Sequence, residues 1–192
     1  RTEGRSAMKL RKVICVGLPK TGTSSLQSAL KILGYKRLAG FDMADCMKYL
    51  RGDLEPLVEK MGAHDGAQDW PWPLLYQPLY RAYPDALFVL TVRKSEDVWL
   101  DSMQKHAELK RKLVRPPGMR QHIYGYENPA DNPQHHIDHY RTHNARVRDY
   151  FSDKGELIEA CWENGDGWDL LCRALKMRAP AEAFPHANKR KD

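Results

Sequence analysis

Hydrophobic positions along the chain alternate between two periods. Residues 12–17 (KVICVG) form a short β-branched run that stops at glycine, the pattern of a strand buried on both faces. A polar loop follows. Then Leu26, Ala29, Leu30 and Leu33 fall at i, i+3, i+4 and i+7, which predicts a helix over residues 25–33 that ends at Gly34. The strand pattern returns at residues 86–92 (ALFVLTV), announced by Pro84-Asp85. Ser95 can cap the next helix, with Glu96 and Asp97 in its first turn, where the helix dipole favours negative charge. Trp99, Leu100, Met103 and Ala107 give that helix its apolar face.

Pro116-Pro117-Gly118 breaks the chain, and residues 124–133 read as a loop. A helix is expected from about 132 to 151, with Ile137, Tyr140, Val147 and Phe151 on one side. Residues 157–161 suit a third strand or an edge strand. Asp166 is placed to cap a last helix facing inward through Trp168, Leu171, Cys172 and Leu175, closed by Pro180. Strand–loop–helix units in this order imply a parallel sheet covered by helices on both sides, a three-layer α/β sandwich.

Composition narrows the function more than the fold. The chain has 192 residues, 42% of them apolar, enough for one domain with a real core. No apolar run approaches the ~18 residues of a membrane span, and no secretory leader pattern is present. Residues 1–7 (RTEGRSA) read as a cloning remnant ahead of a native start at Met8, leaving 8–192 as a single domain. Cys15, Cys46, Cys161 and Cys172 form neither a C-x-x-C pair nor a zinc spacing, so buried thiols in a reducing, cytoplasmic compartment are expected.

The net charge of +6 argues for an anionic partner. The excess sits in residues 104–120, 141–148 and 189–192. Nucleic acid binding would want a broader basic face with interleaved aromatics, so it is not expected.

The most informative stretch is the loop 17–25, Gly-Leu-Pro-Lys-Thr-Gly-Thr-Ser-Ser, between the first strand and first helix. Backbone N–H groups and a helix N-terminus at this position make an anion cradle. Against the phosphate-loop pattern G-x-x-x-x-G-K-[ST], Gly17, Gly22 and Ser24 fit, but the lysine is displaced to Lys20, inside the loop. A lysine after the second glycine serves a triphosphate with magnesium; one inside the loop would face a shorter 5′ group. The second strand runs into Thr91-Val92-Arg93, with no acidic residue to hold magnesium. A glycine-containing turn with no ligand is the plain alternative.

Pro19-Lys20-Thr21-Gly22-Thr23-Ser24 resembles the 5′-phosphosulfate loop of sulfotransferases that use 3′-phosphoadenosine 5′-phosphosulfate (PAPS). Residues 86–103 look like that family's second motif, a strand ending in arginine followed by a helix whose serine holds the 3′-phosphate. Here these are Arg93 and Ser102. The family serine falls eight residues after the arginine, a position occupied here by Asp101. Tyr83-Pro-Asp-Ala, His143-Asn144, Gly167-Trp168 and Phe184-Pro-His-Ala-Asn188 extend the resemblance, to a small bacterial-type branch, over nearly the whole chain.

The resemblance implies in-line, metal-independent transfer of a sulfuryl group to a hydroxyl or amine, leaving 3′-phosphoadenosine 5′-phosphate (PAP). Lys20 would hold the bridging and leaving oxygens. The amides of Thr21, Gly22, Thr23 and Ser24, with the hydroxyls of Thr23, Ser24 and Ser25, would hold the 5′-phosphate. Arg93 suits the 3′-phosphate because a guanidinium binds it in bidentate fashion; a surface arginine is the alternative. Lys189 or Arg190 could reach the same phosphate if the tail folds back, and a solvated tail is equally compatible.

In cytosolic members of the family a histidine in an H-x-P triplet precedes the strand arginine by a little over twenty residues. Asp69-Trp70-Pro71 occupies that place, so the resemblance makes Asp69 the first candidate for general base, able to serve if Trp70 and Trp72 raise its pKa, with helix capping as its alternative; His64 is the second. His135, His136, His139 and His143 tempt a metal reading, but no H-E-x-x-H placement accompanies them and no metal is expected. Trp70, Trp72, Tyr76, Tyr124 and Tyr126 could face a small-molecule or carbohydrate acceptor or belong to the core. The length is short for the family, so the site is expected open or closed by a partner chain, as in a homodimer. A small nucleotide or metabolite kinase, and a non-catalytic phosphonucleotide-binding protein, are the competing functions.

Overall fold

The computed structural model describes residues 10–111 and 118–186. Residues 1–7, Met8, Pro116-Pro117, Lys189 and Arg190 therefore lie outside the described residues.

The centre is a five-stranded parallel sheet in the order β2-β3-β1-β4-β5. Its strands are β1 (Val13–Cys15), β2 (Leu38–Ala39), β3 (Gly66–Ala67), β4 (Leu87–Thr91) and β5 (Leu157–Ala160). The two expected strands, β1 and β4, lie side by side in the middle, and every residue in them is buried. Their continuous apolar runs follow from helices on both faces.

Alternate residues divide between the two layers. Ile14, Phe88 and Leu90 pack with Leu57 and Met61 of α3 (Glu55–Gly62), Leu79 of α4 (Tyr76–Ala82), and Val147 of α7 (Pro133–Tyr150). Val13, Cys15, Leu87 and Val89 pack on the opposite face with Leu26, Ala29 and Leu30 of α1 (Thr23–Ile32), and with Leu171 and Leu175 of α8 (Trp168–Leu175). A third apolar cluster covers the carboxyl ends of the strands. It joins Leu18, Trp70 and Cys46, the last from α2 (Met43–Leu50), to Trp99 and Met103 of α5 (Glu96–Lys110). Met119 and Tyr124 of α6 (Met119–Tyr124), and Tyr140 of α7, complete it.

Ser95 caps α5 as expected, accepting from Val98 N–H at 3.3 Å, and Asn132 caps α7 by accepting from His135 N–H. Asp166 does not cap the last helix. Gly167 holds that place, while the Asp166 carboxylate accepts from Cys161 N–H at 2.7 Å and ties the end of β5 to the start of α8. Two-residue strands such as β2 and β3 carry no readable period, and β5 proves to be an edge strand. All four cysteines are buried and free; burial pushes the Cys15 thiol up to about 11, so it stays protonated. Among the described residues no helix is long and apolar enough to cross a membrane.

Parallel strands bring their carboxyl ends to one edge. The loop after β1, Asp69 after β3, Arg93 after β4 and Glu163 after β5 all emerge there.

Candidate active site

The loop 17–25 is held by its carbonyls. Thr21 Oγ1 donates to Leu18 C=O (2.7 Å), Trp99 Nε1 to Pro19 C=O (3.0 Å), Arg93 Nη1 to Lys20 C=O (3.2 Å) and Trp162 Nε1 to Gly22 C=O (3.0 Å). With these oxygens fixed, Ser25 N–H donates to Gly22 C=O (3.0 Å), and the N–H groups of Thr23 and Ser24, which have no carbonyl a turn behind them, are left for an anion. Two glycines are required by contact. A Cβ at Gly17 would collide with Thr91 Oγ1 and its carbonyl, and one at Gly22, where φ is 96°, would strike the Trp162 ring. Thr21 is only 1% exposed and its hydroxyl also meets Thr91 Oγ1, so it holds the loop; a ligand would meet its main chain. Thr23 and Ser25 are buried at the start of α1, and Ser24 is exposed.

Lys20 has left-handed backbone (φ 73°) and is half-buried. Burial, Arg93 and Arg120 all hold its pKa below the ordinary lysine value, while Asp69 opposes them. Among the described residues it makes no ion pair within 4.0 Å, which leaves its ammonium available. Asp69 also has positive φ (63°), and its Oδ1 accepts from Trp70 N–H at 2.8 Å. Its side chain caps no helix; the main-chain carbonyl accepts from Trp72 N–H instead. Burial raises the Asp69 pKa, against the pull of that N–H, Lys20 and Arg120.

Arg93 lines three clefts, two of which border the loop. One, of about 450 Å³, runs beside Thr21, Gly22, Ser25, Trp162, Glu163 and His186. The other, of about 510 Å³, lies between Lys20 and α5 and is lined by Asp101, Ser102, Lys105 and His106. Ser102 therefore shares a cleft with Lys20 and Arg93, whereas Asp101 also reaches this cleft but is engaged with Lys105 one turn along.

Arg93 is not a free surface arginine. Its Nε and Nη2 donate to the two oxygens of Glu163 (3.1 and 2.8 Å), and Lys94 N–H donates to the same carboxylate. A 3′-phosphate would share or exchange this fork. The chain leading to Lys189 and Arg190 does approach: Phe184 packs on Trp162 (4.7 Å) and Trp168 (5.0 Å), and His186 borders the first cleft.

His64 is not brought to the site. It precedes β3, at the amino-terminal edge of the sheet; its Nδ1 pairs with Lys60 C=O, and its own carbonyl accepts from Lys12 Nζ. Two of the α7 histidines bind the scaffold: His143 Nε2 donates to Val16 C=O (2.7 Å) and His136 Nδ1 to Asn132 C=O (2.8 Å); His135 and His139 line a cleft beside α7. Among the described residues no three His, Cys, Asp or Glu side chains come together to hold a metal ion. Trp72 is a core residue bonded to Gly40 C=O, and Tyr76 packs on Tyr150 and Phe151. Trp70 and Tyr124 pack together next to Asp69.

Sequence reasoning missed three members of this cluster. Glu163 and His106 carry no local motif. Arg120 looked like one of many charges in a basic stretch, yet it is 9% exposed and donates from Nη2 to His106 Nδ1 at 2.7 Å.

This arrangement, an anion loop whose lysine lies within electrostatic reach of a partly buried aspartate, has relatives. The family model described as "Sulfotransferase domain" matches residues 12–192. The chain is 28% identical over 211 residues to the Ava biosynthesis cluster protein M of Aspergillus versicolor, covering 91% of this chain and 80% of that protein. It shares the fold of a sulfotransferase from Alicyclobacillus acidocaldarius, with a TM-score of 0.53 at 18% identity, over 95% of this chain and 86% of the other. The matched span includes the loop, both clefts and every strand, and on it the chain belongs to the sulfotransferase domain family.

Proposed function

We propose that the protein transfers a sulfuryl group from PAPS to a hydroxyl or amine of a small-molecule or carbohydrate acceptor, releasing PAP. The observation that carries this reading is that Lys20 and Asp69 emerge at the same edge of the sheet beside an anion loop, each within electrostatic reach of the other, with the Lys20 ammonium in no ion pair among the described residues.

Each residue has a task in such a transfer. The amides at the start of α1, with Thr23, Ser24 and Ser25, bind the 5′-phosphate. Lys20 neutralises charge developing on the leaving oxygen, the task a metal performs in phosphoryl transfer. Asp69, its pKa raised by burial, takes the proton of the acceptor as the new bond to sulfur forms. Arg93 and Ser102 take the 3′-phosphate, with Glu163 yielding part of the arginine fork. The donor reading rests on the family and on a lysine ahead of the second loop glycine, where a kinase would carry it after. Likeness to a protein named for a biosynthesis cluster supports a small-molecule acceptor.

The test is incubation with sulfur-labelled PAPS and a panel of phenols, alcohols, amines and sugars without added metal. Label in an organic product, with stoichiometric PAP, is the expected result. PAP binding with no label transferred to any acceptor would favour the non-catalytic reading.

A further inference from the structure

His106 and Arg120 form a pair that no loop or strand motif announces. Arginine has donors only, so the 2.7 Å contact makes Arg120 Nη2 the donor and His106 Nδ1 the acceptor. A neutral His106 must then carry its proton on Nε2. The ring is neutral at ordinary pH: burial and the charges of Lys20, Arg120 and Lys110 push its pKa down to about 4. It lies one helical turn beyond Ser102 on α5 and lines the same cleft as Lys20. Lys20, which the PAPS reading sets at the leaving oxygen, lines that cleft with it, so His106 is within the space where the sulfuryl group would lie.

Arg120 itself is a buried cation whose Nε has no partner among the described residues and whose Nη2 donates to a neutral ring, with the Glu127 and Asp69 carboxylates acting on it without an ion pair. Such a charge is costly unless the site it serves receives negative charge.

We propose that His106 is a catalytic hydrogen-bond donor, its Nε2–H directed at an oxygen of the transferring sulfuryl group, and that Arg120 is the positioning residue that fixes this tautomer. The inference rests on the PAPS reading above. In the transfer, the bond from sulfur to the acceptor oxygen or nitrogen forms as the bond from sulfur to the phosphate oxygen breaks. The bonding pair leaves with PAP, the acceptor proton goes to Asp69, and His106 keeps its own proton throughout.

The test compares affinities for PAPS and PAP, which differ by the sulfuryl group, in wild type, His106→Ala and His106→Gln by calorimetry. His106→Ala is expected to lose about tenfold in PAPS affinity while keeping PAP affinity, as for one hydrogen bond to an anionic group. His106→Gln, whose amide N–H can stand in for Nε2–H, recovers most of it. Nitrogen NMR of the wild-type ring should show the Nε2–H tautomer, and Arg120→Gln should shift the population toward Nδ1–H. Equal loss for both nucleotides, no loss for either, or an Nδ1–H ring in wild type would overturn the role of His106 while leaving the donor reading intact. Wild type binding neither nucleotide would remove both.

Discussion

The two sides of the candidate site are built differently. On the side proposed for the donor, the carbonyls of Pro19, Lys20 and Gly22 are each held by a side chain from another part of the fold and that of Leu18 by Thr21 of the loop itself, and two glycines are fixed by contacts a Cβ could not survive. Around Asp69, on the side proposed for the acceptor, the buried Trp70 Nε1, Tyr124 OH, Arg120 Nε and Glu127 Oε1 have no hydrogen-bond partner among the described residues. Buried polar groups are normally satisfied, so on the proposed function this cluster of exceptions would be a wall that meets different groups at different stages. A preorganised donor cradle lowers the cost of charge development; an unsatisfied wall leaves acceptor choice to the ligand.

Substitutions can break that contrast. Asp69→Asn should have the largest effect, lowering transfer by about 10²- to 10⁴-fold. It should also raise Tm at pH 7, by on the order of 1–3 °C. Burial lifts the Asp69 pKa in the folded chain above its unfolded value, so the folded state binds that proton more tightly. Stability from this group is therefore lost as pH rises from the unfolded carboxylate value through the folded one, and a neutral amide escapes the loss. For the same reason the rate should climb with pH across a range above that of an ordinary carboxylate. It should fall again as Lys20 loses its proton below the usual lysine value. An Asp69→Asn protein that keeps its rate would move the base elsewhere.

Lys20→Ala should reduce turnover by about 10²- to 10³-fold, with Tm within about 2 °C of wild type, because the ammonium makes no ion pair with the described residues. Retained turnover would dissolve the donor side as drawn. Arg93→Ala should weaken PAP by about 10- to 100-fold, the range for hydrogen bonds to a charged group. Glu163→Gln should instead strengthen PAP binding by about 2- to 5-fold, by releasing a partly exposed ion pair. If Arg93→Ala leaves PAP affinity unchanged, the arginine serves only to tie Lys20 C=O to Glu163. His64→Ala should change neither turnover nor affinity, since that ring sits at the far edge of the sheet.

The donor side was legible because it is local in sequence. The strand at 12–17, the loop 17–25 and the strand at 86–92 each carry their own pattern, and the loop chemistry follows from adjacent residues. Asp69 was legible only through resemblance, and His64 was a wrong turn because a histidine five residues earlier exits at the opposite end of a two-residue strand. His106, Arg120 and Glu163 were illegible for a physical reason. Their partners lie 14 and 70 residues away, and pairing across such distances leaves no mark on local periodicity. The Asp166 expectation failed in the same manner: a residue in capping position was claimed by a main-chain N–H of the preceding strand end.

The central claim is that this cradle recognises a nucleotide phosphorylated at both ends and needs no metal to do so. Calorimetric titration with PAP, 5′-AMP and ATP–magnesium tests it most directly. The account predicts that PAP binds without divalent metal and at least about tenfold more tightly than 5′-AMP, which lacks the 3′-phosphate. Binding of ATP–magnesium in preference to PAP, or equal affinity for PAP and 5′-AMP, would contradict it.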